Sequence, residues 1–194
     1  MSIVGITGQS GSGKTTAAEI LSRRGFYHID CDFIVHNKVY KNTQLLEKIA
    51  QNFSADCVTS DGINRRKLSR LVFSDRKQYE KLMNIVMPFV TDQIRLEIKS
   101  QTGHVIVDAP LLFEYGLEKL CDCTIGVISD NIVQRICMRD GISQQEAAQR
   151  LANQKDSLFY RRHCDYIIEN NSDVETLEAA VNKIADTILK GTSC

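Results

Sequence analysis

The 194-residue chain has no tryptophan, only two prolines and no net charge, with 24 Lys plus Arg against 24 Asp plus Glu. A zero balance leaves no field over the whole molecule to draw in nucleic acid. Basic residues gather no further than short pairs such as Arg23-Arg24, Arg65-Arg66 and Arg161-Arg162, so nucleic acid is disfavoured as the main ligand. The chain also has no C-x-x-C pair. Its seven cysteines (31, 57, 121, 123, 137, 164 and 194) are odd in number, and Cys121-Asp122-Cys123 has the wrong spacing for a zinc knuckle. They read as small buried or neutral residues. Neither a signal-peptide pattern nor a long apolar run is present, which points to a soluble cytoplasmic protein with reduced thiols and no membrane partner. The length suits one α/β core with small insertions, as a monomer or a small homo-oligomer.

What is present begins at Ile3. Ile3, Val4, Gly5 and Ile6 read as a buried strand, and Gly8-Gln9-Ser10-Gly11-Ser12-Gly13-Lys14-Thr15 is a full match to G-x-x-x-x-G-K-S/T. Thr15 to Arg24 then reads as a helix that Gly25 closes. Glycines let such a loop turn its N–H groups inward, making an anion-sized nest at a helix N-terminus. Lys14 then reaches β- and γ-phosphates and the Thr15 hydroxyl sits on Mg²⁺. The stretch is a nucleoside-triphosphate site.

Further along, Phe26 to Asp30 reads as a second strand. If the chain stays extended past it, Asp30 and Asp32 share one side at the strand tip, where ligands of α/β sheets bind. From Phe33 to Gln101 the apolar spacing is largely helical: Leu45, Leu46, Ile49 and Phe53, then Leu68, Leu71 and Val72, then Leu82 to Ile98. Asp61-Gly62 marks a turn between helices, and Pro88 is expected to kink or break the last one. His104 to Asp108, Cys123 to Ile128 and Tyr166 to Glu169 read as strands. Asn131 to Arg139 and Ser143 to Gln154 read as helices joined at Asp140-Gly141, the second opening on the capping box Ser143-Gln144-Gln145-Glu146. Asp173 to Leu189 reads as a closing amphipathic helix. The alternation predicts a P-loop α/β fold in three layers, with a five-stranded parallel sheet, a helical insertion and a helical lid.

A strand ending in Asp108 has the form of a Walker B element, whose carboxylate holds Mg²⁺ through water beside Thr15. Transfer to a hydroxyl is helped by a carboxylate that takes its proton, for which Asp32 and Asp30 are candidates, and by cations over the moving charge. Arg135, Arg139, Arg150, Arg161 and Arg162 are the candidate cations. Arg135 and Arg139 share a helix face, Arg139 suits a mobile lid closing on ATP, and Arg150 reads as a solvated surface charge.

With these residues in hand, the chain resembles the dephospho-CoA kinase family from Gly5 to about Asn171. The resemblance rests on Ile6-Thr7-Gly8-Gln9-Ser10-Gly11-Ser12-Gly13-Lys14-Thr15-Thr16 and on His28-Ile29-Asp30-Cys31-Asp32-Phe33-Ile34-Val35-His36. It also rests on Asp61-Gly62-Ile63-Asn64-Arg65, on Asp108-Ala109-Pro110-Leu111-Leu112-Phe113-Glu114, and on Arg139, Gln154 and Asp165 to Asn170 in order. It implies transfer of the ATP γ-phosphate to the ribose 3′-hydroxyl of dephospho-coenzyme A, the last step of coenzyme A biosynthesis. It further implies Asp32 as the general base, Arg139 as the lid arginine, and Gly8, Gly11, Ser12, Gly13, Lys14, Thr15 and Thr16 around the phosphates. Thr15 and Asp108 then serve Mg²⁺, and Asn170 lies where the chain passes adenine. Arg65, Phe113 and Glu114 join Asp32 on the acceptor side. The implied organisation is a core of residues 1–32, 103–129 and 164–194, an acceptor-binding region 33–102 and a lid 130–163. The chain departs from the family pattern in three ways: Met87-Pro88 replaces His-Pro, no glycine follows Asn170, and Cys31 and Cys164 replace Ala.

Two alternatives stand beside this one. Another P-loop kinase of nucleosides or nucleotides shares the loop and the lid arginines. A nucleotide-dependent switch needs N-K-x-D, which Asn182-Lys183-Ile184-Ala185 fails at its last position.

Overall fold

The computed structural model describes residues 1–72, 75–152 and 154–191. In chain order the elements are β1 (Ile3–Gly8), α1 (Lys14–Arg23), β2 (Tyr27–Asp30), α2 (Cys31–Asn37), α3 (Thr43–Asn52), β3 (Val58–Thr59) and β4 (Gly62–Ile63). Next come α4 (Arg65–Val72), α5 (Arg76–Lys99), β5 (Val105–Asp108), β6 (Cys123–Ile128), α6 (Ile132–Asp140), α7 (Gln144–Leu151), α8 (Ser157–His163), β7 (Tyr166–Glu169) and α9 (Val174–Leu189). The chain divides into two compact units, residues 1–29 with 101–194 and residues 30–100.

In the first unit a five-stranded parallel sheet has the order β2-β5-β1-β6-β7. β1 is paired on both sides, Ile6 with Asp108 on β5 and Gly8 with Val127 on β6. Every residue of β5 and β6 is buried, as expected of parallel strands covered on both faces, and this is why they read as unbroken apolar runs. Val4, Ile6, Ile106, Ile125, Val127 and Ile168 pack against Ala17 and Leu21 of α1 and against Leu177, Val181, Ala185 and Ile188 of α9. The sheet thereby brings the carboxyl ends of β1 and β5, which carry Gly8 and Asp108, to one edge of the core. The capping box forms as the sequence predicts: Glu146 N donates to Ser143 Oγ at 3.2 Å, and Ser143 N donates back to Glu146 Oε2 at 2.9 Å. Cys31, Cys57 and Cys123 are buried and form no disulfide among the described residues, in keeping with small apolar roles, while Cys194 lies outside the described residues.

In the second unit Leu45, Ile49, Leu68, Val72, Val86, Val90 and Ile94 are buried. Three expectations change here. Asp30 and Asp32 do not continue a strand, because α2 begins at Cys31 with Asp30 as its N-cap, Oδ1 accepting from Phe33 N at 2.9 Å. Only Asp32 lies in the first helical turn, so the two carboxylates have different jobs. Pro88 does not break α5, which runs as one 24-residue helix. Both Pro88 and Asn84 are exposed, so the carbonyl that loses its donor can turn to water, while Val86, Val90, Ile94 and Ile98 hold the buried face. The turn falls at Ser60-Asp61 and joins two short strands rather than two helices, Gly62 already being the first residue of β4, with Val58 opposite Ile63 and Thr59 opposite Gly62.

The capping role of Asp30 has a measurable consequence. Asp30→Asn keeps a good N-cap acceptor and is expected to retain both stability and turnover, whereas Asp30→Ala loses about 1 kcal/mol of stability. Urea unfolding with steady-state kinetics on both variants checks this. A collapse of turnover in Asp30→Asn would mean that Asp30 does more than cap.

Candidate active site

The loop from Gly8 to Gly13 ends on a bare helix start. Gly13 is the N-cap of α1 at φ 95° and ψ 16°, and it supplies no side-chain bond to the first turn. Ser12 N closes a tight turn on Gln9 O at 3.1 Å. The Ser12 hydroxyl is buried without a partner among the described residues, an orphan that a ligand oxygen inside the loop would satisfy. Lys14, Thr15 and Thr16 form the first turn, with Thr15 exposed. N–H groups left over at a helix start, together with the helix dipole, make an anion site.

Two further side chains hold Lys14 in register. Lys14 Nζ donates to Asp108 Oδ1, and His28 Nε2 stands 3.1 Å from Asp108 Oδ2. Asp108 is 5% exposed. Burial pushes its carboxyl up, but the hydrogen bond from His28 and the charge of Lys14 outweigh burial and hold it below the usual carboxylate range. Asp108 is therefore an ionised carboxylate at the tip of β5.

The loop is braced from three later segments. Asn170 Nδ2, at the end of β7, donates to Ser12 O at 2.8 Å, and Asn170 is buried. Ser10 N donates to Gln154 Oε1 at 2.9 Å, and Arg139 Nη2 donates to Ser10 Oγ at 3.2 Å. Arg139 is itself oriented by Asp140, with bonds of 2.7 and 2.9 Å. That contact pulls the Asp140 carboxyl down to about 2, and Arg150 adds to it. Arg150 is thus a surface charge with a partner rather than one left to solvent. Arg135 lies on the same helix face as Arg139, its Nη1 3.9 Å from where a Cβ on Gly13 would stand. Arg161 pairs with Glu169 at 2.6 Å and serves the surface of β7.

Phe113 meets Phe159 of α8 edge to face at 5.4 Å, and Phe159 stacks on His163 at 4.0 Å. Glu114 is exposed, and its charge acts on Tyr160, whose hydroxyl is pushed up to about 12, chiefly by burial.

In the second unit Asp32 and Arg65 both act on one half-buried phenol. Tyr40 is raised by burial, lowered by the charge of Arg65 and raised again by Asp32 and Tyr79. Asp32 and Arg65 thus share the surroundings of Tyr40, a residue that no motif marks.

With this geometry in place, a family model described as dephospho-CoA kinase matches residues 2–176. The chain belongs to the dephospho-CoA kinase family. A dephospho-CoA kinase of Fusobacterium nucleatum is 35% identical over 96% of this chain and 98% of its own length. A solved Thermus thermophilus structure superposes with a TM-score of 0.81 at 30% identity, covering 96% of this chain and 97% of that one. The solved dephospho-CoA kinase of Campylobacter jejuni gives a TM-score of 0.71 at 27% identity, covering 98% of both chains. The protein is a kinase that uses ATP to phosphorylate an alcohol group of dephospho-CoA.

As a dephospho-CoA kinase the chain has, beside its candidate site residues, neighbours to which the sequence alone gave no role. His28 only opens the phrase His28 to His36 and has no role there, Tyr40 carries no motif, and α8, with its Phe159 and His163, has no clear apolar period. Only the two-residue alternation of β2, which sets His28 in step with Asp30, hinted at any of them. Among the described residues no helix is long and apolar enough to cross a membrane.

Proposed function

We propose that the transferred group is the γ-phosphoryl of Mg²⁺-bound ATP, that the acceptor is the ribose 3′-hydroxyl of dephospho-CoA, and that Asp32 accepts the hydroxyl proton. The donor side rests on one arrangement. An uncapped start of α1, the orphaned Ser12 hydroxyl and the Lys14 ammonium converge on one short loop.

In the step, the 3′-oxygen bonds to the γ-phosphorus and the bond to the β–γ bridging oxygen breaks. ADP leaves, and the proton passes to the Asp32 carboxylate. Lys14 turns from Asp108 to the β- and γ-oxygens, and Arg139 covers the same charge from a lid of residues 130–163. The Thr15 hydroxyl and the ionised Asp108 carboxylate are hard oxygen donors of the kind that would hold Mg²⁺ alongside substrate phosphates. When bound there, Mg²⁺ neutralises charge on the β- and γ-oxygens. Residues 33–102 serve the acceptor, with Arg65 on an acidic group and Phe113 and Glu114 at the margin of its path. Asn170, bonded to Ser12 O, supports the loop on the side where adenine passes. The six cysteines of the described residues form no disulfide, which suits a reducing cytoplasm.

The deciding experiment offers ATP and Mg²⁺ with dephospho-CoA, adenosine or AMP as acceptor, followed by ADP release and ³¹P NMR. ADP release with dephospho-CoA and a new 3′-phosphomonoester resonance are expected, and chelation of Mg²⁺ should abolish both. Equal turnover with AMP or adenosine would overturn the acceptor assignment.

A further inference from the structure

We propose that His28 is a positioning residue for the donor half of the site. Its imidazole holds one oxygen of Asp108 so that the other stays turned toward Lys14 and the water of Mg²⁺. This rests on the reading of Asp108 given above.

The geometry of the carboxylate carries the argument. Its two oxygens are shared between two partners, Lys14 on Oδ1 and His28 on Oδ2 at 3.1 Å, with side chains 15% and 26% exposed against 6% for Asp108. The terminal torsion of an Asp side chain is broad and nearly twofold, so a single partner would leave the carboxylate free to swing. Lys14 is the partner that must let go when phosphate arrives. A buried carboxylate that loses its cation is strongly disfavoured unless another donor remains, and His28 is that donor. Strand pairing supplies the rigidity: β2 lies beside β5 in the sheet, so His28 and Asp108 stand on neighbouring strands rather than on loops. The other histidines are engaged elsewhere. His104 accepts from Ser2 N at 3.2 Å, His163 bonds Phe159 O at 2.8 Å, and His36 sits against the ring of Tyr40 at 5.6 Å. Groups that orient a metal's carboxylate from behind typically change metal affinity 10–100-fold when removed.

The test measures ADP binding by calorimetry with and without Mg²⁺, for the parent protein, His28→Asn and His28→Gln. Asparagine is too short to reach Oδ2, whereas glutamine can set an amide N–H close to the place of Nε2. The factor by which Mg²⁺ tightens ADP is expected to fall about tenfold in His28→Asn and to return to within about twofold of the parent in His28→Gln. ADP alone should bind all three alike. If His28→Asn fails to fold, His28→Leu, which fills the space without a donor, replaces it. An unchanged Mg²⁺ factor in His28→Asn, or in the His28→Leu that replaces it, overturns the proposal, as does an equal loss of ADP affinity without Mg²⁺, which would mark a merely structural role. Asp108→Asn separates the two layers. If it keeps the parent factor, the metal reading of Asp108 fails and takes His28 with it. If it loses the factor while His28→Asn, or the His28→Leu that replaces it, keeps it, only the role of His28 falls.

Discussion

Asp32→Asn is expected to lower kcat by about 10²–10³-fold, with the KM for ATP within about threefold of the parent. Asparagine matches the shape of aspartate and keeps a hydrogen-bonding oxygen, so the acceptor hydroxyl can still dock. It cannot take the proton. The lower part of the usual range for general bases is the better expectation, because phosphoryl transfer passes through a loose transition state in which the hydroxyl proton leaves late. The structural price of the change is small: Asp32 lies in the first turn of α2, where a negative charge contributes about 0.3–1 kcal/mol through the helix dipole, and the cap itself belongs to Asp30. Stability should therefore move by less than about 1 kcal/mol in urea unfolding. Calorimetric binding of ADP should match the parent. Turnover near the parent value would sink the assignment of the base. The pair of variants is informative together, since Asp30→Asn alters the neighbouring carboxylate and is expected to leave the reaction intact.

The parts legible in the sequence are those whose signal is local. The parallel strands β5 and β6 are buried on both faces, so their apolar runs stand out, and α9 carries an amphipathic period under an Asp173 cap. The loop from Gly8 to Thr15 is legible because its chemistry needs glycines and a lysine at fixed offsets. What escaped depends on distant partners or on elements too short for a period. β3 and β4 have two residues each, and α8 is seven residues long, started by Asp156 accepting from Phe159 N at 2.8 Å. Whether Asp30-Cys31-Asp32 runs on as strand or turns into helix is decided by a cap that either conformation would leave unmarked in the sequence. His28 finds Asp108 across 80 positions of chain, and Asn170 finds the Ser12 carbonyl across 158. Neither contact leaves a spacing to read.

That last bond makes Gly13→Ala the most damaging change expected on the donor side. Gly13 has a left-handed backbone, which for an L-residue costs about 1–2 kcal/mol. Its added Cβ would also stand 2.2 Å from Asn170 Nδ2, far inside contact distance. Two relaxations are open. If Asn170 retreats, the buried Ser12 carbonyl loses its donor, at about 1–3 kcal/mol. If the loop retreats, the N–H groups at the start of α1 turn away from the phosphates. Either way the loss is about 3 kcal/mol, and where the loop yields it appears as a hundredfold or greater weakening of ADP. Gly25→Ala is the control that separates strain from collision, because Gly25 has φ 92° but nothing within 4 Å of its added Cβ. That variant should lose about 1–2 kcal/mol in urea and bind ADP as the parent does. Gly13→Ala should lose stability and ADP together. Parent-like ADP affinity in Gly13→Ala would show that the loop tolerates the collision, and that the bond from Asn170 to Ser12 does not set the shape in which phosphate is held.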